Sequence, residues 1–327
     1  DAYEDSLALS IVAPFQEEVE KLGWEKGLAE VYFYIGYGYY RLKDFDSATY
    51  FMLQADSLYE LLQHADKLIQ TRNVFGTIAL YSGDYDQAVV EYIRALAQAE
   101  VVGDTSYMAG LTTNIGWVSY RGGMYQEAKA YSQKAMEIYK GIGSLAGIAQ
   151  INQNLAAIYA DQDSMDISLG YMRASLKSWE EQGNAFKVAW GYSNLGGVYN
   201  YMEDYEKADA AFLKSIKLFK KVKDPHGRAS VMYNYSKNLT DRGLYRKAIP
   251  YNKEAMKLAK ETEYFDVYYK AVDNLAVAQY HTGAYKDAYL NRSLVEHLKD
   301  SLKGADIQDR MADIQTQYET ETQIQSP

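Results

Sequence analysis

The side chains best able to do chemistry are thinly spread along this sequence. Its four histidines, His64, His226, His281 and His297, have no metal-ligand spacing, and no His-Glu-x-x-His pair occurs. There is no cysteine, which removes disulfides, thiolate metal sites and thiol nucleophiles; the composition fits an oxidising or a reducing compartment and leans toward export. No glycine-rich phosphate loop and no Gly-x-Ser-x-Gly elbow is present. Asp161-x-Asp163-x-x-Asp166 groups three carboxylates but lacks the glycine and terminal glutamate of a calcium loop, and reads as an interhelical turn. The expectation is a chain that is not itself an enzyme and needs neither cofactor nor metal.

One register suits recognition instead. Tyr34, Val74, Asn114, Asn154, Asn194, Asn234 and Asn274 recur at intervals of 40 residues. An asparagine amide offers both donor and acceptor, so five in a row can hold an extended peptide backbone whatever its side chains. The competing reading is that each amide bonds a neighbouring helix and sets the spacing of the repeat. Tyr37, Trp117, Tyr120, Arg121, Trp190, Tyr201, Tyr233, Lys237 and Tyr280 fall on the same expected concave wall. A tyrosine, with an apolar ring and a polar tip, suits a half-wet groove, and any one ring can equally be helix packing. Trp117 and Arg121, one helical turn apart, form the expected ligand-facing pair.

The elements that must carry these residues follow from the same period. Phe45, Tyr85, Tyr125, Met165, Tyr205, Tyr245 and Tyr285 each precede by three residues a small one: Ala48, Ala88, Ala128, Ser168, Ala208, Ala248, Ala288. Thirteen residues before each small residue stands a large apolar one, from Ile35 to Leu275, usually followed by a tiny one such as Gly36, Gly76, Gly116 or Gly196. A single core has no need of a phase held this long. A solenoid of stacked helical hairpins does, because each unit buries its apolar face on the next. In the fifth unit the apolar spacing predicts helix A over 185–201 and helix B over 205–222. Glycine-bearing turns such as Ser82-Gly83-Asp84 and Thr282-Gly283 should end helix A in a left-handed residue. Pro250 is expected to kink the sixth helix B, and Met165 with Ser168 predict looser packing in the fourth unit. Residues 3–22 resemble a solitary helix B, and Ile307, Met311, Ile314 and Tyr318 form a short heptad-like stripe on a further helix over 305–322.

The chain has 327 residues, 44 acidic against 34 basic side chains, and a formal charge of −10. That balance argues against nucleic acid as a partner. No apolar run approaches 18 residues, so no membrane span is expected in this chain. It begins at Asp1 without methionine or apolar leader and reads as a mature or trimmed fragment.

The large–tiny pair, turn aromatic and alanine resemble the tetratricopeptide repeat; residues 194–216 are the clearest copy, and the resemblance covers nearly the whole chain. The period of 40, longer than that family's usual one, implies longer helices. HEAT repeats share the length but lack this arrangement. The resemblance implies an all-α, α-α superhelix of about seven hairpins at 25–302, an N-terminal half-repeat at 1–24, and a C-terminal capping or signalling helix at 303–327. It also implies a peptide or protein ligand.

The C-terminal segment resembles the one that follows such arrays in Bacteroidetes membrane-anchored regulators, matching at Asp300, Ser301, Leu302, Ile314, Gln315, Thr316, Tyr318, Glu319, Thr320 and Glu321. Thr322-Gln323-Ile324-Gln325 departs from the lysine cluster usual there. The resemblance implies a periplasmic sensor region of a two-component histidine kinase or helix-turn-helix transcriptional regulator, its anchor and output beyond Pro327. The alternatives are a scaffold without a sensing role, in either compartment, and a soluble peptide-pheromone receptor. The C-terminal stripe is open to two roles, a homodimer seam or a cap.

Overall fold

The computed structural model describes residues 9–12 and 14–301. Among them are fifteen α-helices and no strand. They are α1 Phe15–Leu22, α2 Glu25–Arg41, α3 Phe45–Leu61, α4 Ala65–Ser82, α5 Tyr85–Val102, α6 Thr105–Arg121, α7 Tyr125–Gly141 and α8 Leu145–Asp161. Then come α9 Met165–Glu181, α10 Ala185–Tyr201, α11 Tyr205–Lys221, α12 Pro225–Asp241, α13 Tyr245–Glu261, α14 Phe265–His281 and α15 Tyr285–Ser301. From α2 onward the even-numbered helices are the A helices and the odd-numbered ones the B helices. The chain forms two compact units, Asp1–Tyr171 and Met172–Pro327. The segment expected as a capping or signalling helix, 303–327, lies outside the described residues, as do residues 1–8 of the half-repeat.

From α3 onward every helix starts 20 residues after the one before it, and the cause is a single turn used throughout. A left-handed residue stands at Gly23, Lys43, Gln63 and every twentieth position to Gly283; eight are glycine and six are not. At the α2 end the N–H of Lys43 donates to Tyr40 O and that of Asp44 to Tyr39 O, 3.0 Å each. This is the Schellman arrangement, which satisfies carbonyls the helix itself leaves unpaired. Asp44 then caps α3, its Oδ1 accepting from the Ser47 N–H. Asp84, Asp104, Ser144, Asn184, Asp204 and Asp224 do the same at their helices. The glycine turns expected after A helices thus form half of the pattern, and the B helices end in the same way.

Packing within a hairpin follows the small residues. Ala48, Ala88, Ala128, Ser168, Ala208 and Ala248 are wholly buried. In α10 and α11 the buried stripes are Val188, Leu195 and Val198 against Ala208, Phe212, Ile216 and Phe219. Gly196 is required there: a Cβ on it would lie 2.8 Å from the Phe212 ring. Ser168, expected to loosen the fourth unit, donates from Oγ to Ala156 O at 2.8 Å and takes alanine's place with its hydroxyl satisfied. Pro250 is exposed, and α13 runs through it as one helix. The helix expected over 3–22 is described as helical residues 9–12 and then α1, with Pro14 at its N-cap. Proline brings no N–H to an interior helical bond, which suits a helix start.

Between hairpins, each A helix packs on the next A helix: α2 on α4, α4 on α6 and α6 on α8 in the first unit, α10 on α12 and α12 on α14 in the second. Each unit therefore has a continuous wall of A helices, and the candidate residues lie on it.

Candidate functional site

The asparagine register runs down both walls, and its members have different fates. In the first unit the half-buried Asn114 donates from Nδ2 to Asn73 Oδ1 at 3.1 Å, joining α6 to α4. Asn154 is buried and accepts from Gln150 Nε2 at 3.2 Å. In the second unit Asn274 is buried, its Nδ2 donating to Ser236 Oγ at 3.2 Å and Asn252 Oδ1 at 3.1 Å. Ser236 Oγ in turn donates to Asn252 Oδ1 at 2.6 Å. Asn194 and Asn234 are exposed, and neither makes a side-chain hydrogen bond to another described residue. The structure therefore assigns Asn114, Asn154 and Asn274 to packing and leaves Asn194 and Asn234 open to a ligand.

The aromatic and charged candidates divide in the same way. Tyr37 is exposed and stacked on Phe33, centroids 6.2 Å apart. Trp117 packs on Tyr120 at 5.2 Å. Tyr120 donates its hydroxyl to Asp161 Oδ2 at 2.9 Å, tying α6 to α8. Burial, then that carboxylate, pushes the Tyr120 phenol up to about 12. Arg121 turns away from Trp117 toward the preceding hairpin, its guanidinium 5.9 Å over the Tyr85 ring and 3.4 Å from the Tyr85 hydroxyl. The expected Trp117–Arg121 pair is thus split between two packing partners. In the second unit Trp190 sits edge-on to Phe219 at 5.1 Å, and Tyr233 is half-buried against the same core. Lys237 is exposed and paired with Asp241.

What remains accessible on the second wall is Asn194 and Gly197 on α10, Asn234 and Lys237 at the equivalent positions of α12, and Val277 and Tyr280 on α14. Gly197 faces open space, with no atom within 4 Å of a would-be Cβ. Packed helices lie roughly 8–10 Å apart, so Asn194 and Asn234 are separated by about three residues of extended chain at ~3.4 Å each. That spacing lets two amides engage one peptide backbone, with Lys237 beside them.

Sequence reasoning missed a groove of about 740 Å³ between α3, α4 and α5. It is lined by Asp56, Glu60, Asp84, Glu91, Arg72 and Arg94. Arg72 lies 3.6 Å from Asp56 and pairs with Glu60, and Arg94 pairs with Glu91 at 3.0 Å. Burial pushes the Asp56 carboxyl up although Arg72 opposes it. Four carboxylates face two guanidiniums, so the groove stays net negative, and Arg72 joins two hairpins through Asp56 and Glu60; no period in the sequence marks these residues. Among the described residues no group of three His, Cys, Asp or Glu side chains is placed to hold a metal ion, and no helix is long and apolar enough to cross a membrane.

This architecture is shared with solved structures. Apo RapI matches with a TM-score of 0.64 and 16% identity over 84% of this chain and 99% of its own. Aspartyl phosphate phosphatase F from Bacillus subtilis matches at 0.63 and 13% identity, over 86% and 73%. The Rap conjugation gene regulator of plasmid pLS20, solved in complex with the Phr* peptide, matches at 0.57 and 16% identity, over 86% and 79%. At these identities the likeness is one of fold. No curated protein matches the sequence. The tetratricopeptide repeat profile matches residues 67–141, 147–221 and 187–261, more than half of the chain. With hairpins of paired helices, small residues at every close approach and A helices packed on A helices, the chain belongs to the tetratricopeptide repeat family.

Proposed function

We propose that this chain is the sensing region of a membrane-anchored signal-transduction protein and that it binds a peptide or protein along the A-helix wall of its second unit. It acts by binding rather than by catalysis. The observation that carries the reading is the pair Asn194 and Asn234, two exposed amides at equivalent positions of packed helices, beside open Gly197 and charged Lys237. A structure of the same fold holds a peptide, which supports a peptide as the occupant. The residues 300–302 and 314–321 that resemble the segment before a membrane anchor support a periplasmic location and an output domain, kinase or DNA-binding, outside this chain.

The test starts from a random peptide library selected on the full chain. The tightest peptide is then titrated calorimetrically into the native chain and into the Asn194→Ala, Asn234→Ala double variant. Each amide-to-backbone bond contributes about 1 kcal/mol net, so two losses weaken binding by ~2 kcal/mol, about 30-fold. An unchanged Kd in a folded double variant refutes the site.

A further inference from the structure

The groove on α3, α4 and α5 recurs two hairpins on, between α7, α8 and α9, with about 400 Å³ against 740 Å³. Both are lined by residues of the first unit. Asp56, Glu60, Arg72 and Glu91 of the first groove correspond to Met136, Lys140, Asn152 and Tyr171 of the second. At the Asp56 position the next five B helices carry Leu96, Met136, Leu176, Ile216 and Met256. A large apolar side chain therefore serves there five times over, and α3 puts a carboxylate in its place.

That exchange does not serve packing. An ion pair taken out of water is often no more stabilising than the apolar residues that could replace it, and a repeat that breaks its own rule does so where it has another task. Asp56 Oδ1 is buried without a hydrogen-bond partner, with Arg72 Nε 3.6 Å away. Glu91 is 7% exposed. Its Oε1 accepts from Gln87 Nε2 at 2.7 Å and from Arg94 Nη1 at 3.0 Å, while Oε2 has no hydrogen bond among the described residues. A largely buried carboxylate oxygen left unpaired at the wall of a groove is a place for a donor.

Charge and shape say which donor. Asp56, Glu60, Asp84 and Glu91 outnumber Arg72 and Arg94 by two, so the groove repels anions and a dication makes it neutral. Among the described residues no three carboxylates converge as a metal ion requires, so the cation is organic. Leu53, Phe75 and Ile78 add an apolar lining, which suits a methylene stem between charged ends. The volume falls in the range of small-molecule sites, roughly 300–1,000 Å³.

We propose that the groove binds a linear alkyl dication, one ammonium donating to Glu91 Oε2 and the other held by the exposed carboxylates of Glu60 and Asp84. The ammonium groups belong to a free diamine or to neighbouring lysines of a peptide, which share this chemistry. The site has no residue in common with the second-unit wall, so either can fail without the other.

Calorimetric titration of the full chain tests this, with cadaverine, pentylamine and N-acetyl-lysyl-lysine amide as probes. Cadaverine should bind saturably at one site, and pentylamine, with a single ammonium, about 10-fold more weakly. Glu91→Gln, nearly identical in shape, should weaken cadaverine about 10-fold. Glu60→Lys, which gives an exposed position the residue type of Lys140, should weaken it as well. Glu137→Gln, at the second groove, should change nothing. Tighter binding of the lysine probe assigns the ammonium groups to a peptide and tighter binding of cadaverine assigns them to a free diamine; either result upholds the site. Failure of both probes to bind up to about 10 mM overturns the proposal. So does pentylamine binding as tightly as cadaverine, or binding that Glu91→Gln and Glu60→Lys both leave unchanged in folded chains.

Discussion

Replacing Asn274 and Asn234 separately by alanine should give opposite results, although the two stand at the same position of consecutive repeats. Asn274→Ala deletes two buried hydrogen bonds, at 3.2 and 3.1 Å. The remaining Ser236–Asn252 bond keeps one acceptor engaged, and Asn252 Nδ2 is already buried without a partner. At 0.5–1.5 kcal/mol net for each lost bond the cost is about 2 kcal/mol. Asn234→Ala removes an exposed amide with no described partner and should stay within roughly 0.5 kcal/mol. Repeat arrays open locally, so a single unfolding midpoint is the wrong readout. Amide exchange under native conditions resolves it: residues 230–281 should exchange about 30-fold faster in Asn274→Ala and unchanged in Asn234→Ala. Equal effects in the two variants would refute the division of the register into packing and open members.

Three further outcomes follow from the described geometry. Gly123→Ala should destabilise by about 1 kcal/mol, because its φ of +78° is left-handed. Gly110→Ala, inside α6 with open space around the new Cβ, should stabilise by roughly 0.5–1 kcal/mol, both changes read from amide exchange of α6 and α7 under native conditions. Tyr92 and Tyr120 are both held up to about 12, Tyr92 by burial and Tyr120 by burial and Asp161. Their neutral forms favour the fold below pH ~10, and that contribution is lost as pH rises from 10 to 12. Ultraviolet titration should show these phenols ionising after the exposed tyrosines, together with loss of helix; full ionisation by pH 11 with the helices intact would contradict it.

The hairpins were legible because their anchors repeat by type: an alanine that must be small stays small at Ala48, Ala88 and Ala128. The turns were half legible. Lys43, Gln63, Asp163, Glu203, Lys223 and Glu263 carry no outward sign of a left-handed backbone. There the paired carbonyls at the helix end outweigh a local preference worth about 1 kcal/mol. The asparagine register was visible, but its division was not, because neighbours decide it. Asn274 meets Ser236 and Asn252, whereas the positions equivalent to these for Asn234 are Gly196 and Phe212, which offer no polar side chain. Arg121 misled for a similar reason: a guanidinium free to choose took the Tyr85 ring one hairpin back rather than its own helix's tryptophan.

Because one turn closes every helix from α1 to α14, A and B segments share a backbone plan and differ only in the side chains they carry. Inserting one residue within a helix would rotate everything after it by about 100°, turning every alanine meant for a close approach toward the wrong neighbour. Such a chain tolerates change of length only in whole multiples of its rhythm. Growth by copying entire hairpins is open to it, whereas the gradual lengthening that surface loops permit elsewhere is closed.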